Sequence, residues 1–141
     1  MPKGFQKQSL IKLILLTMIT LGIYVPFWFL KQRKIAEKLS IKKKLYNKLI
    51  YIFIIVFIIR VLFFILDLSS GNLDIRTAYS FFNTLNAIIL LVLAFNLRSV
   101  LEEYYKKNKV KKREFCRFWT FIFSYLYLQY RINEIIGSKK K

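Results

Sequence analysis

Apolar positions gather into four long runs, and most of the cationic residues lie in the blocks between them. The first run occupies 10–30 and carries no charge from Leu13 to Leu30. As a straight helix those 18 residues would measure about 27 Å, just enough to cross a bilayer. Gly22 and Pro26 interrupt it. Pro26 lacks an N–H, and in a continuous helix its ring clashes with the carbonyl of Gly22, four residues earlier. A carbonyl freed in lipid needs a new partner, and Thr17 and Thr20 stand one turn away. The run reads either as a kinked spanning helix or as a hairpin that enters the membrane and returns.

The second run, 49–66, is the cleanest span, built of Ile, Phe, Leu and Val around Tyr51 and Arg60. Turn-forming residues from Asp67 to Asn72 end it. An outside loop over 67–78 then leads to a second span at 79–97, and the two make a helical hairpin. Beyond Arg98 the helix is expected to leave the membrane and continue to Asn108. The last run lies within 118–136 and is charge-free only from Phe118 to Tyr130. That is short for a span and rich in aromatic rings, which suits an interfacial or re-entrant helix.

Charge then sets the topology. Residues 31–48 hold eight Lys/Arg against one Glu, and 98–117 hold eight against three. The 67–78 loop is slightly acidic, and the tail 137–141 ends in three lysines. The positive-inside rule places both basic connectors in the cytoplasm and the loop outside. If the first and last runs both crossed, the basic termini would lie outside; if both turn back, every basic cluster is cytoplasmic. The expected fold is therefore an all-α integral membrane protein, one membrane domain in which a central two-span hairpin is flanked by two broken, re-entrant or interfacial helices. It would be a multi-pass protein of the cytoplasmic membrane with both termini inside. Lys3, Lys7 and Lys12 resemble the start of a signal peptide, but no small-residue cleavage site follows, so the segment reads as a retained anchor.

Composition narrows the chemistry. The chain is 56% hydrophobic with a formal net charge of +18, no histidine and one cysteine, Cys116. Metal sites and acid–base catalysis have almost no raw material here, and no nucleophile–base set or phosphate loop is present. The expectation is a protein that is not an enzyme and needs no cofactor. Candidate contacts with lipid headgroups or a partner are Lys31, Arg33, Lys34, Lys38, Lys42, Lys43 and Lys44 in one connector. Lys109, Lys111, Lys112 and Arg113 take that role in the other. In the first block Ile35, Leu39, Leu45 and Leu49 recur at roughly helical spacing. It reads as an amphipathic helix on an anionic surface or as a solvated connector. Nucleic acid is the less economical polyanion, because the aromatics sit in the apolar runs and not among the lysines. Cys116, at the membrane boundary, is a palmitoylation candidate or a packing residue.

Arg60 is the one formal charge well inside a span. Burying it costs about 2.5–3.5 kcal/mol on insertion scales, so it should find protein, water or the interface. Counting inward from Asp67 and Tyr79 places Arg60 level with Asn86. Asn83 lies one turn away on the same face, so the three form a candidate intramembrane polar cluster.

The stretch Thr20-Leu-Gly-Ile-Tyr-Val-Pro-Phe-Trp28 resembles the LGIY-then-Trp signature of a small bacterial and archaeal membrane-protein family of unknown function (number four-two-three-four). Thr20, Gly22, Tyr24 and Trp28 carry the likeness, with the basic segment that follows. Tyr24, Pro26 and Trp28 are also similar to the Tyr-x-Pro-Trp of another uncharacterised inner-membrane family. Leu128-Gln-Tyr-Arg-Ile-Asn-Glu134 is similar to the polar close of the first. The resemblance implies a membrane protein and no activity. Phe27–Arg33 and Tyr125–Arg131 also share the pattern aromatic-x-aromatic-Leu-x-x-Arg, through chance or pseudo-symmetry about the hairpin. The expected role is a small integral membrane protein that associates with anionic lipid, a protein partner or further copies of itself. A subunit of an oligomeric transporter or pore is the alternative.

Overall fold

In the computed structural model residues 8–20, 22–37, 46–107 and 116–138 are described, and all elements among them are helical. In chain order they are α1 (Leu10–Ile19), α2 (Tyr24–Glu37), α3 (Asn47–Ser70), α4 (Leu73–Lys107) and α5 (Arg117–Ser138). Antiparallel α3 and α4 form the spine, and both are long and apolar enough to cross a membrane. At about 1.5 Å per residue α3 measures roughly 36 Å and α4 roughly 52 Å. Packed against one end of this spine, α2 lies on α3, α5 on α4, and α1 on α5 and α2.

The break in the first run is real, but Pro26 is not its cause. Gly22 has φ +89°, a conformation that other residues rarely adopt. Its N–H donates to the Thr17 carbonyl at 2.8 Å, and the Ile23 N–H to the Thr20 carbonyl at 2.9 Å. Pro26 sits in the first turn of α2, where a missing N–H leaves little unmade. The Gly22 carbonyl accepts the Val25 N–H, so the expected clash never arises. The Thr20 hydroxyl accepts the Tyr24 N–H at 3.1 Å and satisfies one open donor at the start of α2.

At the hairpin tip the loop expected over 67–78 shrinks to Gly71 and Asn72. The hydroxyls of Ser69 and Ser70 donate back to the Leu66 carbonyl, so their polar groups are satisfied within the last turn of α3. Gly71, at φ +59°, closes α3, and the Asn72 side chain accepts the Asp74 N–H at 2.9 Å to open α4. Downstream, α4 runs without interruption to Lys107. The expected basic connector of 31–48 is likewise shortened, because α2 extends through Glu37 with Gln32, Ile35 and Ala36 buried. Leu39 falls outside the described residues. In the last run Ser124 has non-helical angles (φ 39°, ψ −113°) that split α5 into two arms. The Cys116 N–H donates to the Tyr127 hydroxyl at 3.1 Å, across eleven residues that would stretch about 17 Å in a straight helix.

One core lies where all five helices meet. It unites Leu13, Trp28, Phe29, Ile50, Phe53, Leu93, Leu97, Leu101, Leu128 and Ile132. Among the described residues the far half of the hairpin consists of α3 and α4, joined by stacking of Phe63 on Phe82 (5.3 Å) and by Phe64 against Tyr79. Only 22% of the apolar window of α3 and 39% of that of α4 are buried.

Candidate functional site

Trp28 is the residue around which the base is assembled. Its indole packs edge-on to Phe29 (5.0 Å) and Tyr125 (5.8 Å) and is 1% exposed. The indole N–H can only donate, and it meets Gln129 Oε1 at 2.9 Å. That fixes the Gln129 amide, whose NH2 donates to Asn133 Oδ1 at 2.9 Å. Asn133 in turn pairs with the backbone of Gln8, accepting its N–H at 3.0 Å and donating to its carbonyl. Each bond of this relay pairs a donor with an acceptor, while the Gln8 side-chain Oε1 has no partner among the described residues. A second tie links the Tyr125 hydroxyl to the Thr17 hydroxyl at 3.0 Å.

The relay establishes the path of the first segment. Gln8 and Trp28 are twenty residues apart, about 30 Å in a straight helix. Both are nonetheless bonded to one turn of α5, Gln129 to Asn133. The chain therefore folds back at Thr20–Ile23, and α1 and α2 are the arms of a hairpin closed on α5. Thr20, Gly22 and Tyr24 form the turn, while Pro26 and Trp28 belong to the returning arm.

Gly22 reaches the residues expected to form the polar cluster. A Cβ placed on it would lie 3.6 Å from a ring carbon of Phe57 and 3.9 Å from the Arg60 guanidinium. Those are ordinary contacts, so glycine is required here for its backbone angle and not for space. Arg60 lies over the Phe57 ring at 4.8 Å, and its Nη1 donates to Asn83 Oδ1 at 3.4 Å. Asn86 is not level with Arg60. Because the turn sits at Gly71–Asn72, the pairing moves by one helical turn, and Asn83 is the residue opposite. Asn86 is buried, and its Oδ1 has no hydrogen-bond partner among the described residues.

Among the expected cationic contacts, Lys31, Arg33 and Lys34 line an open cleft between α2 and α3 together with Glu37 and Tyr51. Arg33 donates to Glu37 and to the Tyr51 hydroxyl, both at 2.9 Å, and its guanidinium lies over the Tyr51 ring. Those bonds, that to Glu37 first, raise its already high pKa, so it stays charged at any working pH. Lys38, Lys42, Lys43, Lys44, Lys109, Lys111, Lys112 and Arg113 lie outside the described residues. The Tyr46 N–H, at the start of α3, donates to Asn96 Oδ1 of α4 at 3.0 Å. Cys116 is exposed.

Sequence reasoning singled out Trp28 and the stretch around Gln129 separately and did not join them. It missed Gln32, buried one turn beyond Trp28, and the pairing of Asn133 with Gln8. The signal lay in two amide or indole pairs at i, i+4 on otherwise apolar helix faces, Trp28 with Gln32 and Gln129 with Asn133. No group of His, Cys, Asp or Glu able to hold a metal occurs among the described residues. No family model, curated protein or solved structure matches the chain.

Proposed function

We propose that the protein is a small non-enzymatic integral membrane protein that presents its cationic base to the cytoplasmic face and there associates with anionic lipid or a protein partner. The observation that carries this reading is the surface of the α3–α4 spine. Ile55, Ile58, Leu62, Ile65, Phe81 and Ile88 are each about half exposed or more along two helices of spanning length. A continuous apolar surface of that kind is untenable in water and ordinary in lipid.

In this reading α3 and α4 span, with Asp67 and Asp74 at the outer end and the basic connectors at the inner one. The α1–α2 hairpin enters from the cytoplasm and turns at Gly22. That turn is level with Phe57, about 15 Å along α3 from Asn47 and so near the bilayer midplane. The bent α5 also remains on the inner side. Backbone groups opened at the turn are satisfied by Thr17, Thr20 and Gly22 itself, as irregular backbone at that depth requires. The resemblance to the LGIY-then-Trp family belongs to this proposal: the Trp28–Gln129 bond gives its two signature stretches a common structural reason.

Carbonate extraction and reporters fused to each terminus test the reading. The chain is expected to stay with the membrane and both reporters to be cytoplasmic. Release by carbonate, or two external reporters, contradicts it.

A further inference from the structure

The surface between α2 and α3 joins an apolar groove to a cationic cleft. The groove encloses about 360 Å³ and is walled by Ile23, Pro26, Ile54, Ile58, Val61 and Leu62, with Phe27 and Leu30 at its cytoplasmic end. Those last two side chains also line the cleft of about 520 Å³ that holds Lys31, Arg33, Lys34, Glu37 and Tyr51. The two spaces therefore adjoin at those side chains. From Tyr51 to Leu62 is eleven residues of α3, about 17 Å, close to half of the ~30 Å hydrocarbon thickness. The apolar wall on α3, Ile54 to Leu62, covers eight of those residues, about 12 Å, and reaches from the inner leaflet past the level of Phe57, with the charged part on its headgroup side. Three cations face one carboxylate in the cleft. Arg33 is held by Glu37 and Tyr51 and stiffens the wall, while Lys31 and Lys34, three residues apart, share a helix face.

We infer that this groove binds one anionic phospholipid, with its phosphate between Lys31 and Lys34 and one acyl chain laid along α3 as far as Leu62. The inference rests on the proposed membrane reading and deepens it by naming a single site. Lipid tails are as apolar as the groove, so the groove itself adds no hydrophobic driving force. It orients the chain, and the lysines supply the preference for negative charge.

Native mass spectrometry of the full chain in detergent, titrated with phosphatidylglycerol or phosphatidylcholine, tests this. One phosphatidylglycerol should be retained per chain, in preference to phosphatidylcholine. A lysine beside a membrane surface strengthens binding about fivefold, so the double variant Lys31→Ala/Lys34→Ala should weaken it about 30-fold. Ile58→Trp and Leu62→Trp, at exposed wall positions, should fill the groove and lower phosphatidylglycerol to the phosphatidylcholine level. Their lipid-free melting temperature should be unchanged, which separates a blocked groove from a damaged fold. Undiminished phosphatidylglycerol binding by both tryptophan variants overturns the groove while leaving a general anionic-surface association standing. Equal binding of the two lipids by the unaltered chain overturns both. Complete displacement by glycerol 3-phosphate would place a soluble anion in the cleft, and loss of lipid on dimerisation would place a second copy there; either result overturns the assignment.

Discussion

At the base of the α3–α4 hairpin Ile50, Phe53, Leu93 and Leu97 are at most 1% exposed; at its tip Ile58, Leu62, Ile65 and Phe81 are more than half exposed. The residue types hardly differ. What differs is cover: α1, α2 and α5 enclose the base, and among the described residues only the open groove beside α2 reaches toward the tip. The base owes its closure to polar bonds as well as to apolar contact, because Trp28, Gln129 and Asn133 tie α2 and α5 to each other and to Gln8, just ahead of α1. At the tip the described ties are aromatic stacking and the Arg60–Asn83 bond. A protein that spends its buried polar groups at one end and leaves the other end bare fits a surrounding solvent that is itself apolar.

The strongest way to break this contrast is Trp28→Ala. It opens a large cavity and leaves the Gln129 carbonyl buried without its indole donor, so the base should lose about 3–5 kcal/mol. Thermal unfolding in detergent measures it. A loss below about 1 kcal/mol would mean that Trp28 does not organise the base. Next comes Leu62→Lys at the tip, exposed in the structure and therefore harmless if the tip were in water. In lipid it should cost about 2.5–3.5 kcal/mol of insertion, read as the fraction of chains integrated into the membrane. Gly22→Ala and Gly71→Ala then compare the two turns directly. Both positions have positive φ and room for a methyl group, so each should cost about 1–2 kcal/mol through backbone strain. Only the first should weaken closure of the base, seen as faster proteolysis of α1. The smallest expected effect is that of Arg60→Leu, which should leave insertion intact and lower detergent stability by about 0.6–2 kcal/mol through loss of the Asn83 contact.

The hairpin and the break at Gly22 are legible in the sequence because they rest on local rules: apolar length, positive φ at glycine, clusters of turn residues; the break at Ser124 follows none of them. Two further features are not legible, for physical reasons. Ser69 and Ser70 look like turn residues, yet they remain in α3 with their hydroxyls bonded back to Leu66. That lengthening moves the α3–α4 pairing by one turn and presents Arg60 to Asn83 in place of Asn86. Trp28 and Gln129 are separated by 101 residues, and no spacing rule joins amides at that distance. Pro26 teaches a further point. Its effect depends on which turn of a helix it occupies, which only the position of Gly22 decides.

The most direct test of the account is thiol labelling in intact membrane vesicles of known orientation. Single cysteines replace the exposed Ser9, Lys34 and Ser69 in a Cys116→Ser background, and a membrane-impermeant reagent is applied. The account predicts that Ser9→Cys and Lys34→Cys react from the cytoplasmic side and Ser69→Cys from the opposite side only. Labelling of positions 9 and 34 from opposite sides, as a straight first span requires, or of all three from one side, would contradict it.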